Sequence, residues 1–240
     1  MRVAALVLLV AACSRQAAPD PDPDPVSDPE HNPDPDPDPV SDPDPEHEQA
    51  NPRPDDLIDI ATVAPGVVVE MRYATPDNFA RVAVYPVAKC LLRRDAAERL
   101  ARAQATLEKR GLGLKVWDCY RPFSIQKRFW ELVPDSRYVA QPVVDAAGVP
   151  VTGSKHNRGA AVDVTLVDRA GAPVEVPTAH DDFSPRAHRG NKTWTPAARA
   201  SVATLDRAML AEGFEPLPTE WWHYDAPGWK AYPLSDQPIR

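Results

Sequence analysis

The 240-residue chain carries 27 Lys and Arg against 35 Asp and Glu, a net charge of −8, and contains 29 prolines. The acid excess is confined: residues 19–56 hold 14 acidic residues against one Arg, whereas from residue 57 onward 24 basic residues face 21 acidic ones. No basic stripe runs through the chain, so nothing in it calls for a nucleic-acid partner, and the near-neutral remainder of 184 residues is long enough to fill one core.

Met1 and Arg2 followed by the apolar run 3–10 have the charged start and short hydrophobic stretch of a secretory signal. The run is too short to span a bilayer, which takes roughly 20 apolar residues. It ends in Val10-Ala11-Ala12-Cys13, which is similar to a bacterial lipobox in which Cys13 takes lipid and becomes the new N-terminus. An ordinary signal peptide that contains a Cys is the plainer alternative. Ser14 stands where an Asp would favour retention at the inner membrane. Residues 1–18 are therefore expected to be a signal peptide with a lipobox-like end. The expected address is the periplasm, with membrane attachment through Cys13 at the outer membrane.

Residues 19–56 read as a tether. The segment 20–31 recurs, slightly extended, as 34–47. Proline at alternate positions removes backbone donors and fixes φ, while like charges repel, so neither helix nor core is expected. At about 3.1 Å per residue such a spacer reaches on the order of 100 Å. His31 and His47 are lone histidines in an acidic repeat and read as incidental.

The remaining segment, 57–240, is expected to fold. Short strands are predicted at 57–60 and 67–73, around the turn Ala64-Pro65-Gly66. An amphipathic helix follows at 95–110, with Ala97, Leu100, Ala101, Gln104 and Leu107 on one face and Gly111 closing it. A strand at 114–118 delivers Cys119-Tyr120-Arg121-Pro122 to its end, and 124–132 reads as helix. A further strand covers 160–166, with Gly171 in the turn after it. Thr195-Pro196 opens a second clear helix, with Pro at its first position. That helix runs to Gly213 and buries Val202, Leu205 and Met209. Helices and antiparallel-looking hairpins in segregated runs predict an α+β fold, a small mixed or antiparallel sheet with flanking helices.

Two imidazoles and a carboxylate stand out as metal ligands. His156 lies in a Gly-containing turn, Asp163 in the strand after it, and His223 near the C-terminus. This is a donor set that Zn²⁺ takes in tetrahedral geometry with a fourth position open. Glu220 precedes His223 by three residues and suits a general base, taking a proton from the attacking water and handing it to the leaving amine. A His-x6-Asp or a Glu-x-x-His is weak alone; together in one domain they point to one catalytic zinc. A guanidinium at Arg121 would oppose charge developing on a carbonyl oxygen, its plainer role being a salt bridge at a strand end. Trp221 and Trp222 read as pocket wall and core.

Ser154-x-His156-x-x-Gly159-x-Ala161-x-Asp163, with Glu220-Trp221-Trp222-His223, resembles the D-alanyl-D-alanine dipeptidase family of the vancomycin-resistance type. Tyr73-Ala74-Thr75-Pro76-Asp77-Asn78-Phe79 and Trp117-Asp118-Cys119-Tyr120-Arg121-Pro122 match the same pattern, so the resemblance runs from about residue 57 to 235. It implies the fold shared with zinc DD-carboxypeptidases and hedgehog-type domains, a small α+β sheet with zinc in its cleft. It also implies His156, Asp163 and His223 as ligands, Glu220 as base and Arg121 as oxyanion partner. Tyr73 and Ser154 would position a substrate such as D-Ala-D-Ala or a related small D-amino-acid dipeptide. The loop at 181–185 with His188 would border the site, and His180 and His188 are expected at the surface or behind the ligands. No protein partner is inferred.

Export would set this chain apart from cytoplasmic members, making recycling or scavenging of wall-derived dipeptide a better expectation than antibiotic resistance. A carboxypeptidase or endopeptidase acting on wall peptides is the second reading. A non-catalytic, zinc-stabilised binding module is the third, and Glu220 and Arg121 speak against it because a structural zinc needs neither. Cys90 and Cys119 are expected to form one disulfide in an oxidising space, with two buried free thiols as the alternative.

Overall fold

The computed structural model describes residues 56–240. The expected leader, Cys13, and the Asp-Pro tether with His31 and His47, all but its last residue, lie outside the described residues. The described chain opens with β1 (Leu57–Asp59), which passes directly into a short helix α1 (Ile60–Val63). Strand does not continue to Ile60 because Asp59 Oδ1 accepts the Ala61 N–H at 3.0 Å and caps the turn. β2 (Val68–Val69) is likewise shorter than the expected 67–73. Its ladder ends where the Glu70 N–H donates to the Val116 carbonyl at 3.0 Å, and Arg72–Ala74 then form a 3-10 turn that buries Tyr73.

The chain continues through β3 (Leu91–Arg93), α2 (Arg94–Glu108), β4 (Leu112–Asp118) and α3 (Phe123–Leu132). A hairpin of β5 (Val143–Val144) and β6 (Pro150–Thr152), which the sequence pattern does not announce, precedes β7 (Ala161–Asp168). Then come α4 (Pro196–Ala211), β8 (Glu215–Pro216) and β9 (His223–Asp225). Thr195 caps α4 by accepting the Ala198 N–H. The fold is α+β, with a five-stranded mixed sheet in the order β2-β4-β7-β9-β8. β2 pairs parallel to β4, and the other neighbours are antiparallel.

β4 and β7 form the spine of that sheet, and side chains alternate across it. Leu114 and Val116 pair with Leu166 and Val164, and Val162 pairs with Tyr224; all are buried in the apolar core. Leu100, Leu107, Val202, Leu205 and Met209 of α2 and α4 belong to the same core. Each such aliphatic side chain is worth about 1.5–3 kcal/mol of burial. Asp163, Thr165, His223 and Asp225 take the other face and are buried too. A bulge between Val116 and Asp118 puts Trp117 out of step, so Asp118 rather than Trp117 pairs with Asp163 and joins its face. A Cys90–Cys119 disulfide ties the entry of β3 to the end of β4.

Candidate functional site

One row of side chains crosses three strands. Asp118 on β4 pairs with Asp163 on β7, which pairs with His223 on β9. Directly opposed residues hold their Cβ atoms about 4.5–5.5 Å apart, so strand register alone brings Asp163 and His223 together. His156 comes from the 3-10 turn Lys155–Arg158, which Ser154 caps. Asn157 secures that turn: its Oδ1 accepts the Ser154 N–H at 2.7 Å and its Nδ2 donates to the Arg121 carbonyl at 2.8 Å. The Arg121 N–H in turn donates to the His156 carbonyl at 3.0 Å. Gly159, at φ 69°, then swings the chain into β7, and a Cβ there would lie 2.4 Å from Leu57 Cδ2. The left-handed backbone favours glycine there, and any larger residue would also have to displace the Leu57 side chain.

The ring nitrogens are sorted by their partners. His156 Nδ1 lies 2.8 Å from the Cys119 carbonyl, which only accepts, so Nδ1 carries the proton and Nε2 is left with a lone pair. His223 Nε2 lies 3.0 Å from Asp225 Oδ1, which leaves Nδ1 as its inward-facing atom. Asp225 is braced from behind by Lys155. His156 Nε2, His223 Nδ1 and Asp163 Oδ1 then converge, at separations of 3.2, 3.4 and 2.9 Å. Zinc bonds of about 2.0–2.1 Å set tetrahedral edges of about 3.3 Å, so the three atoms have the spacing and chemistry of a zinc face. With neutral rings they are three lone-pair donors facing one point, an arrangement that either a metal ion or a proton on His223 Nδ1 satisfies. Burial pushes the His223 imidazole down, but the hydrogen bonds it donates to the Asp163 and Asp225 carboxylates outweigh it and carry its pKa up to about 10. Burial pushes Asp163 up, and the neighbouring imidazoles nevertheless hold it well below the usual carboxylate range.

These atoms line a cavity of about 300 Å³, shared with Tyr73, Arg121, Ser154, Asp181 and Glu220. Glu220 sits on the rim with a quarter of its side chain exposed, Oε2 3.9 Å from His223 Nδ1. Burial and the charges of Asp163 and Asp181 raise its pKa against the pull of His223 and His156. Arg121 is 8% exposed. Its Nη2 donates to Asp118 Oδ2 at 2.5 Å and its Nη1 to Gln126 Oε1 at 2.8 Å, while its Nε–H has no partner. Asp118 is itself held by the Tyr85 hydroxyl at 2.5 Å. Tyr73 packs edge-on to Phe129 and donates its hydroxyl to Asp181 Oδ1 at 3.0 Å. Asp181 Oδ2 is buried without a hydrogen-bond donor. Burial, with His180 and Arg121 opposing and Asp163 reinforcing, raises the Asp181 pKa. Beyond Glu220 the cavity opens into a groove bordered by Arg137, Tyr138, Phe183 and His188.

All seven residues singled out around the expected metal (Tyr73, Arg121, Ser154, His156, Asp163, Glu220 and His223) line this one cavity. Trp221 and Trp222 are fully buried core residues and do not line it, contrary to the expectation that they also form its wall. The Trp221 indole N–H is satisfied by Thr178 Oγ1 at 2.9 Å. His188 lies in the outer groove, away from the ligand atoms. The loop expected to border the site does so through Asp181 and Phe183, whereas sequence reasoning singled out neither Asp118 nor Asp225 as members of the site. Asp225 alone carried a local signal, since a strand places residue i+2 on the same face as His223.

Residues 53–238 match the D-ala-D-ala dipeptidase family. The chain is similar to the D-alanyl-D-alanine dipeptidase of Escherichia coli (strain K12), 35% identical over 179 residues that cover 75% of this chain and 89% of the relative. It is also similar to proteins of the same name from Streptomyces coelicolor and Enterococcus faecium. The first is 32% identical, covering 70% of this chain and 90% of the relative. The second is 30% identical, covering 66% and 85%.

Proposed function

This chain belongs to the D-Ala-D-Ala dipeptidase family, a family of metallopeptidases, and from that premise we propose that it hydrolyses free D-Ala-D-Ala to two D-Ala with one zinc held by His156, Asp163 and His223. The observation that carries the reading is the convergence of those three ligand atoms with Glu220 in one small cavity. Zinc, when bound there, supplies Lewis acidity that polarises the scissile carbonyl and eases deprotonation of water. Glu220 takes the proton of the attacking water and delivers it to the amine as the C–N bond breaks. Its raised pKa suits both halves of that task. Arg121 lines the cavity, where its guanidinium opposes the negative charge that grows on the carbonyl oxygen, and Asp118 and Gln126 hold it still. Tyr73 and Ser154 position the dipeptide.

The carboxylate of Asp181, which lines the cavity and has one oxygen lacking a hydrogen-bond donor, suits the free ammonium of a dipeptide. A buried acceptor left unpaired costs about 1–3 kcal/mol, so a substrate that blocks the ammonium is disfavoured. The cavity volume supports the same choice, lying at the low end of the 300–1,000 Å³ usual for ligand sites. The groove beyond Glu220 favours the second reading, a carboxypeptidase or endopeptidase on longer wall peptides. The lipobox-like Val10-Ala11-Ala12-Cys13 supports export and anchoring through Cys13, hence a role in recycling or scavenging within the cell envelope.

Purified zinc-loaded protein incubated with D-Ala-D-Ala, an N-acylated D-Ala-D-Ala peptide and L-Ala-L-Ala tests the proposal. Release of D-Ala from the free D-dipeptide alone is the expected result. Preferential cleavage of the acylated peptide would hand the site to the second reading. Inertness towards every D-Ala-terminated substrate would leave a binding module.

A further inference from the structure

One imidazole beside the site has no part in the hydrolysis outlined above. His180 lies in the long connection after β7, its side chain only 3% exposed. The ring lies 5.0 Å from the Trp117 ring at a 34° tilt and stands edge-on to Trp222 at 5.5 Å. That slot would hold a phenyl ring equally well, and burying a polar ring in it costs desolvation unless its nitrogens are used. They are used. Nε2 lies 3.0 Å from Asp163 Oδ2, the carboxylate oxygen opposite the one that faces His156 and His223. Nδ1 lies 3.5 Å from Asp181 Oδ2. A carboxylate only accepts, so the His180 Nε2 presents a hydrogen to Asp163.

We propose that His180 is a positioning residue for the metal ligand Asp163: by engaging Oδ2 it leaves Oδ1 as the single oxygen for the metal and fixes the direction in which that oxygen points. The inference rests on the zinc reading above and deepens it. An aspartate carboxylate rotates readily about its last torsion and can ligate through one oxygen or two. His223 addresses Oδ1 from the metal side, and His180 closes the other side. The same ring stands between Asp163 and Asp181, so the ligand carboxylate and the carboxylate offered to the substrate ammonium are set from one anchor. Partners of this kind behind a ligand typically change metal affinity 10–100-fold when removed.

Three variants of the full chain test this. His180→Phe fills the slot without a donor, His180→Gln offers an amide N–H, and His180→Met has the length of Gln without the donor. Zinc affinity is read by competition with a chelator of known affinity, and coordination by the visible absorption of the cobalt-substituted protein. The melting temperature of each metal-free variant reports the fold. His180→Phe and His180→Met are expected to bind zinc 10–100-fold more weakly and to show an altered cobalt spectrum, with His180→Gln recovering most of the affinity. Should the Phe variant fail to fold, the Gln and Met pair still isolates the donor. Equal zinc affinity across Gln, Met and unsubstituted protein would overturn the proposal, as would a Gln variant no better than Met. Failure of the zinc reading looks different, because the unsubstituted protein would then take up no zinc at all.

Discussion

The two faces of the central sheet are built from the same three strands and behave as two materials. On one face, Leu114, Val116, Val162, Val164, Leu166 and Tyr224 share a core with α2 and α4. On the other, Asp118, Asp163, Thr165, His223 and Asp225 are buried just as deeply. The first face gains from every atom withdrawn from water. The second loses by it, and its carboxylates persist only because imidazoles, a guanidinium and a tyrosine hydroxyl are arranged around them. Stability and chemistry are therefore segregated by strand parity, residue by residue, and substitutions should separate them.

The largest effect is expected from His223→Ala, which removes one of the proposed metal ligands and leaves Asp163 and Asp225 without the ring between them. Zinc stoichiometry should fall towards zero and D-Ala-D-Ala hydrolysis with it, while the far-UV circular dichroism stays, since the apolar face is untouched. Full zinc occupancy in this variant would show that the cation site is elsewhere. Next is Glu220→Gln, which keeps shape but cannot take the proton. A loss of about 10²–10⁴ in kcat is expected with zinc retained. Because a general base works unprotonated, the activity of the parent should fall in acid; a Glu220→Gln variant that keeps the parent's rate across the profile would discount Glu220.

Leu166→Ala probes the other face. A loss of about 2–5 kcal/mol in unfolding free energy is expected in urea titration, with kcat and zinc content unchanged. A parallel fall in kcat would mean that the faces are coupled after all. The smallest effect belongs to Glu70→Gln, at the sheet margin. Burial raises the Glu70 carboxyl, but the Lys115 hydrogen bond and the Arg72 and Lys115 charges bring it below 4.5. A carboxyl depressed on folding contributes stability above its unfolded pKa and loses it as pH falls through the folded value. The half-solvated pair is worth at most about 1 kcal/mol. The difference between variant and parent should thus be visible near pH 7 and vanish in acid.

Elements with strong periodicity and caps were legible in the sequence. The helix expected at 95–110 occurs as Arg94–Glu108, and the one opened by Thr195-Pro196 as Pro196–Ala211. The strand expected through Tyr73 was not, because an apolar run cannot tell a pairing strand from a chain turning to bury a tyrosine under Phe79, Tyr85 and Phe129. The β5–β6 hairpin escaped for the opposite reason: Val143, Val144 and Val151 are exposed, and Pro142 and Pro150 argue against strand. In the site, ligand types and spacings stood out, whereas their supports did not. Asp118 reaches the row only through the bulge at Trp117, and His180 reaches Asp163 from 17 residues away through a loop of no regular pattern.

That bulge and the β7–β9 pairing make the site unequally tolerant of inserted or deleted residues. Lengthening the exposed turn between β5 and β6 changes loop entropy by fractions of a kcal/mol and leaves the Asp163–His223 pairing where it is. Slipping β9 by one turns that strand over, so that Tyr224 would occupy the place of His223; pairing Trp117 directly with Asp163, without the bulge, would turn Asp118 into the hydrocarbon of α2 and α4. A lineage descending from this chain is thus free to vary the length of such exposed turns, but not the register in which β4 and β9 meet β7.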